Sequence, residues 1–169
     1  SIAGDLPDDQ IVRVIAGFRN WLAEHSEGYV LAETVEAVHG AKKEGRLAVA
    51  FDLEGAVMLQ EDLNMLRLFR DLGVRQMHLA YNRSNSIAGG CHDCDRGLSA
   101  LGRQVVQRIN QLGIILDCSH MGFRSSVEAM EISTRPVVFS HSNIKALCDH
   151  PRNIVDEQIK ACARSDGVI

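Results

Sequence analysis

The sequence predicts an α/β fold in which helices cover a parallel sheet, either as a (β/α)8 TIM-type barrel or as an open doubly wound sheet. Three observations lead there. Strands and amphipathic helices alternate along nearly the whole chain, with no repeat, low-complexity tract or linker. The strands are near-continuous apolar runs, the pattern of strands buried on both faces. No glycine-rich phosphate loop follows any strand, which removes the main support for a dinucleotide-binding sheet.

The elements follow in order. Pro7 is tolerated in a first helical turn, and Asp8 and Asp9 suit the positive end of the helix dipole. Ile11, Val14, Ile15, Phe18, Trp21 and Leu22 then recur at helical spacing. A shorter helix over about residues 34–44 stops at Gly45, a usual C-terminal cap. Residues 46–53 read as a strand, 62–72 as a helix closed by Gly73, and 74–81 as a strand. A long polar loop fills the eighties and nineties. Ser99 can cap a helix that ends at Gly113. Residues 114–118 are a strand, 125–133 a helix, 136–140 a strand and 155–164 a helix, and Gly167-Val168-Ile169 begins another strand.

At 169 residues the chain is long enough for one ordinary domain with a sizeable core, and 1–169 is expected to form a single domain. A closed barrel typically takes about 250 residues. The expectation is therefore an incomplete barrel whose first and last strands are missing. The composition, 46% hydrophobic and 24% charged, is that of a soluble globular chain. No run of eighteen or more apolar residues exists, so no membrane span is expected. A net charge of -4 argues against a nucleic-acid partner, which usually needs a basic patch. The five cysteines are odd in number and lie mostly in hydrophobic segments, which fits free thiols in a reducing compartment and a cytoplasmic location. Residues 1–5 lack the features of a signal peptide, which decides little because a signal can be removed. The sequence leaves a homodimer open.

Four strands end in a polar residue that the strand does not need: Glu54, then Tyr81-Asn82, then His120 within Asp117-Cys118-Ser119-His120, then His141 within Ser140-His141-Ser142. In a parallel barrel all strand C-termini open onto one face, where active sites lie. Glu54, Tyr81, His120 and His141 should therefore converge. One carboxylate and two imidazoles make a catalytic zinc set with a position left for water. From pattern alone the same side chains also fit hydrogen-bonded structural roles, and both readings stand at this point.

A resemblance carries the reading further. Residues 137–143, VVFSHSN, followed by 146–153, ALCDHPRN, look like the most distinctive stretch of the membrane (renal) dipeptidase family. Residues 112–120, LGIILDCSH, are similar to its preceding strand motif, and 48–55, AVAFDLEG, to its early glutamate strand. Gly97-Leu98-Ser99 with Gly102 resembles its loop-to-helix junction. The similarity runs over nearly the whole chain in order. It implies a barrel of zinc-dependent hydrolases that cleave dipeptides, including those with a D-residue at the C-terminal position. It also implies two Zn2+ per complete site. By the resemblance Glu54 bridges the metals, His120 and His141 hold one of them, and Arg152 binds the substrate carboxylate, a task its forked guanidinium suits. Tyr81 stands where animal enzymes carry a substrate-binding histidine, and this Tyr-Asn form looks like the bacterial branch. The family's His-x-Asp pair for the other metal has no counterpart here, and its late catalytic aspartate would lie beyond Ile169. One zinc or none is therefore expected in this segment. Two alternatives stay open: another metal-dependent amide or ester hydrolase on the same barrel, and a truncated homologue that binds without turnover.

Cys91-His92-Asp93-Cys94 lacks the second pair that a structural zinc site usually needs, so it is expected to shape the substrate pocket instead. Asp52 and Asp117 are expected to orient ligands or hold loops. His78, alternating with Met77 and Leu79, should face either the lumen or the helical layer, and His150 should assist around Arg152 or cap its loop.

Overall fold

The computed structural model describes residues 2–3, 8–94 and 96–169. Its elements are β1 (Ile2–Ala3), α1 (Asp8–Glu24), β2 (Tyr29–Leu31), α2 (Val35–Lys43), β3 (Leu47–Val49), β4 (Phe51–Glu54), a 3-10 turn (Val57–Leu59), α3 (Asn64–Asp71), β5 (Val74–His78), α4 (Ala100–Leu112), β6 (Ile115–Asp117), α5 (Phe123–Ile132) and α6 (Asp156–Arg164). The helix ends are set as the sequence predicts. Thr34 Oγ1 accepts from Ala37 N at 3.2 Å, Ser99 Oγ accepts from Gly102 N at 3.0 Å, and Gly113 closes α4 at φ 67°.

The main sheet runs β1-β4-β5-β6, every pair parallel. Two parallel bridges carry it on, from Asp117 to Val138 and from Val138 to Val168. Backbone bonds hold those bridges: Cys118 N donates to Val138 O at 2.8 Å, and Phe139 N to Val168 O at 2.9 Å. From β4 onward the neighbours follow chain order without reversal. A doubly wound sheet reverses its order at a switch point, and a (β/α) barrel does not. The described residues therefore form a parallel arc whose strands follow chain order, with no switch point among them.

Two local readings are corrected, and two short strands are added. The run 46–53 is two strands: the chain breaks at Ala50, and β3 leaves the main sheet to pair with β2 across α2 as a small β-α-β unit. Residues 29–31 had no strand signal beyond Tyr-Val-Leu, too short a run for periodicity to mark. At the N-terminal end a short strand that the sequence did not signal, β1, pairs Ile2 and Ala3 with Leu53 and Glu54. Two residues flanked by glycine and serine give no pattern to read. At the other end, residues 136–140 make single bridges rather than a continuous strand.

One apolar cluster fills the space between sheet and helices, including Ile11 and Ile15 of α1, Phe51 and Leu53 of β4, Met77 of β5, Leu116 of β6 and Ile109 of α4. The apolar stripe of α1 is wider than the core it meets. Ile11, Ile15 and Leu22 are buried, whereas Phe18 and Trp21 remain 54% and 40% exposed. Trp21 instead stacks on His25 and meets the edge of Tyr29. Among the described residues no helix is long and apolar enough to cross a membrane.

Candidate active site

Strand alternation sorts the side chains near the C-terminal ends of the strands. Phe51, Leu53, Met77 and Leu116 enter the apolar cluster. The alternate set, Asp52, Glu54, Gln76, His78 and Asp117, carries the polar groups, and the register places them side by side: Asp52 pairs with Gln76, and His78 with Asp117. A polar layer this dense on the inner face of a parallel sheet needs a purpose, because buried polar groups are costly unless partnered.

Glu54, His120 and His141 converge there, with one ligand atom from each lying within 4.8 Å of the others. His120 Nε2 and His141 Nε2 are 2.7 Å apart, and His141 Nε2 is 3.7 Å from Glu54 Oε1. His120 follows β6 in a left-handed backbone conformation, φ 67°, which non-glycine residues seldom adopt and which is concentrated at functional sites. Asn82, at φ 60°, follows β5 in the same way. His120 Nδ1 donates to Asn82 Oδ1 at 2.8 Å, and Cys91 Sγ donates to the same oxygen at 3.6 Å. An amide oxygen only accepts, so the His120 proton sits on Nδ1 and the lone pair on Nε2 faces the other two groups. Ser140 Oγ lies 2.7 Å from His141 Nδ1 and orients that ring in turn.

This donor set fits a metal. With the Nδ1 atoms engaged by Asn82 and Ser140, the two Nε2 atoms and a carboxylate face one place, a donor set that fits a cation. Burial, then the charges of Arg152, His141 and His78, push the His120 pKa down to about 3, so no proton competes for Nε2 near neutrality.

Below the three groups lies a second layer. His78, with no accessible surface, has Nδ1 at 3.2 Å from Leu53 O and 3.5 Å from Asp52 Oδ1. Its Nε2 is 3.1 Å from Asp117 Oδ2, an ion-pair distance without hydrogen-bond alignment. Burial opposes charge on His78, but Asp117 and Asp52 outweigh it and raise its pKa to about 9. Burial likewise opposes charge on Asp117, and His78 with the neighbouring amides overcomes it and holds the carboxyl well below its ordinary range. His78, Asp117 and His141 also form a second group with metal-ligand spacing. Sequence reasoning left His78 undecided between two faces. Its signal was a histidine in register with the Asp of the next strand, readable only once the register is known.

The loop between β5 and α4 is stitched onto the His120 turn. Cys91 N donates to His120 O at 3.0 Å, and His92 N to Asn82 O at 2.8 Å. Cys91 and Asp93 line a cavity of about 370 Å³ with His120, Lys145 and Arg152, as expected of a loop that shapes a pocket. Among the described residues neither metal-spaced group contains Cys91, His92, Asp93 or Cys94, and all five cysteines are free. Arg152 is tied beside His141: one guanidinium nitrogen donates to His141 O at 3.0 Å, and His150 Nδ1 accepts from Arg152 N at 3.1 Å. Tyr81 stacks on the His120 ring, with centroids 4.4 Å apart and planes at 30°.

The sequence profile of the membrane dipeptidase family, peptidase family M19, matches residues 9–169. The chain belongs to this family. Relatives include an uncharacterized dipeptidase of Schizosaccharomyces pombe, 34% identical over 141 residues that cover 79% of this chain and 33% of the relative. A dipeptidase of Claviceps purpurea is 32% identical over 86% of this chain and 35% of its own length. Among solved structures, an amidohydrolase from Pseudomonas aeruginosa superposes with a TM-score of 0.96 at 28% identity, covering 99% of this chain and 52% of that one. A metallo peptidase from Rhodobacter sphaeroides, liganded with a phosphinate mimic of the dipeptide L-Ala-D-Ala, gives 0.88 at 27% identity over 99% and 50%. The chain thus spans about a third of these two sequence relatives and about half of the solved chains. The membrane dipeptidase family implies a metal cofactor, and this chain has residue groups able to hold one.

Proposed function

We propose that the protein hydrolyses the peptide bond of dipeptides, with Glu54, His120 and His141 holding zinc and Arg152 binding the substrate's carboxylate. The convergence of one carboxylate and two imidazole nitrogens, in a chain of the membrane dipeptidase family, carries this reading. A divalent cation held there supplies Lewis acidity and makes water a nucleophile near neutral pH. The protein's residues do the rest. Asn82 and Ser140 keep the ring nitrogens of His120 and His141 turned toward the cation position. The His141 carbonyl holds one arm of Arg152, leaving the rest of the fork for a carboxylate in the 370 Å³ cavity. Tyr81 packs against the His120 ring, and its hydroxyl is the group proposed to meet the substrate. The Rhodobacter structure's L-Ala-D-Ala mimic supports a preference for dipeptides that end in a D-residue.

The test is to express the protein with any flanking sequence of its reading frame, strip metal with a chelator, and assay L,L- and L,D-dipeptides before and after adding zinc. Turnover that disappears with the metal and returns with it is expected. No turnover of any dipeptide by the zinc-loaded protein would overturn the proposal.

A further inference from the structure

We propose that His78 is a positioning residue: seated under the His120–His141 pair, it fixes the Asp117 carboxylate that holds the backbones of both ligand loops. The inference rests on the reading of those two histidines as ligands.

The geometry is specific. His78 lies at the C-terminal end of β5, fully buried, and presents its ring edge-on to His120 and His141 at centroid distances of 5.6 and 5.5 Å. Packing alone does not require a histidine there. Its two nitrogens reach both neighbouring strands, Leu53 O and Asp52 on β4 and Asp117 on β6. Asp117 is the element that transmits the constraint. Its Oδ2 accepts from Gln76 Nε2 at 2.8 Å and faces His78 Nε2 at 3.1 Å. Its Oδ1 accepts from Ser119 N at 2.9 Å and from Ser140 N at 3.3 Å. Each of those serines directly precedes a ligand histidine. Ser119 Oγ also accepts from His141 N at 3.3 Å, so the two loops are joined to each other as well as to Asp117.

With an apolar residue at position 78, Oδ2 would keep Gln76 alone, and Asp52 Oδ1, already without a hydrogen-bond partner, would lose the imidazole that faces it at 3.5 Å. The carboxylate could then turn, and both loops would lose their shared anchor. The ligands themselves would be untouched. Groups that orient ligands in this way typically change metal affinity about 10–100-fold when removed.

The experiment compares the parent protein with His78→Leu, His78→Gln and Asp117→Ala. The first readout needs no metal: amide hydrogen exchange, by NMR, at Ser119 and Ser140 against core amides such as Ile109. His78→Leu is expected to speed exchange at the two serines by about tenfold or more while the core amides keep their rates. His78→Gln, which retains a donor, should restore part of the protection. The second readout is zinc affinity by competition with a chelating dye. It should fall about 10–100-fold in His78→Leu, and adding His78→Leu to Asp117→Ala should cause no further loss. Wild-type protection at Ser119 and Ser140 in a folded His78→Leu protein would overturn the proposal, and so would additive losses in the double variant. If His78→Leu does not fold, His78→Gln is compared instead, with a smaller loss of protection at the two serines expected. A parent protein that binds no zinc would remove the ligand reading instead, and the amide exchange would then decide the clamp by itself.

Discussion

At the scale of single residues, the site separates groups that face a common point from groups that aim them. Arg152 belongs near both. Its guanidinium is anchored on the carbonyl of His141, so a carboxylate it binds lies beside the His120–His141 pair. Arg152→Lys keeps the charge and loses the planar fork. It is expected to raise KM for dipeptides about tenfold or more while zinc affinity stays within about twofold. An unchanged KM would remove Arg152 from substrate binding. Tyr81 gives a sharper test, because its ring and its hydroxyl have separable roles. The ring stacks on His120, a contact that Phe would preserve. Tyr81→Phe should therefore leave zinc affinity unaltered and change kcat/KM, if the hydroxyl meets substrate. Tyr81→Ala should weaken zinc binding as well. Equal catalytic constants for Tyr81→Phe and the parent would confine Tyr81 to packing.

At the scale of elements, the strand-end turns decide the geometry, and they depend on close backbone approach. A Cβ at Gly90 would collide with the carbonyl group of Asn82 and the backbone of Arg83, which cannot rotate away as a side chain could. Gly90→Ala is expected to displace Asn82, destabilise the fold by about 1–3 kcal/mol, and weaken zinc binding through the lost His120–Asn82 bond. Thermal unfolding and a zinc titration on the same variant check both parts, and a variant with parental values in each would refute the coupling. This level also shows what the sequence can and cannot reveal. Helices α2, α3 and α4 were legible because their caps and glycine stops are local. Glu54, His120 and His141 were legible because strand-end polar residues converge in any parallel barrel. The break at Ala50 and the short β2 were not legible, since a few residues carry no period and their partners lie across α2. His78 and Asp117 were legible only as polar oddities. Their meaning comes from cross-strand register, which no single segment contains.

For the whole molecule, the buried titratable groups predict how stability varies with pH in the absence of metal. His78 has its pKa raised from 6.5 to about 9, so the folded state holds a proton that the unfolded chain releases first. The stability it contributes is fully present below about pH 6.5 and is lost as pH rises toward 9, on the order of 3 kcal/mol for a shift of that size. His120 acts in the opposite sense. Its pKa is lowered from 6.5 to about 3, so below pH 6.5 the unfolded chain takes up a proton that the folded state refuses, and stability falls with falling pH. Asp117, held below its ordinary value, adds to the loss on the acid side beneath about pH 4. Above pH 9 burial keeps the Cys118 thiol protonated in the folded state alone, which extends the alkaline loss. The metal-free protein should therefore be most stable near pH 6–7. Urea unfolding in chelator from pH 5 to 9 measures this directly. The alkaline limb between 6.5 and 9 should shrink in His78→Leu, whereas the acid limb should shrink in His120→Gln. A parent curve that is flat between pH 6.5 and 9 would mean that His78 is not held as an imidazolium between its two carboxylates. The charge pattern inferred for the layer beneath the ligands would then be wrong.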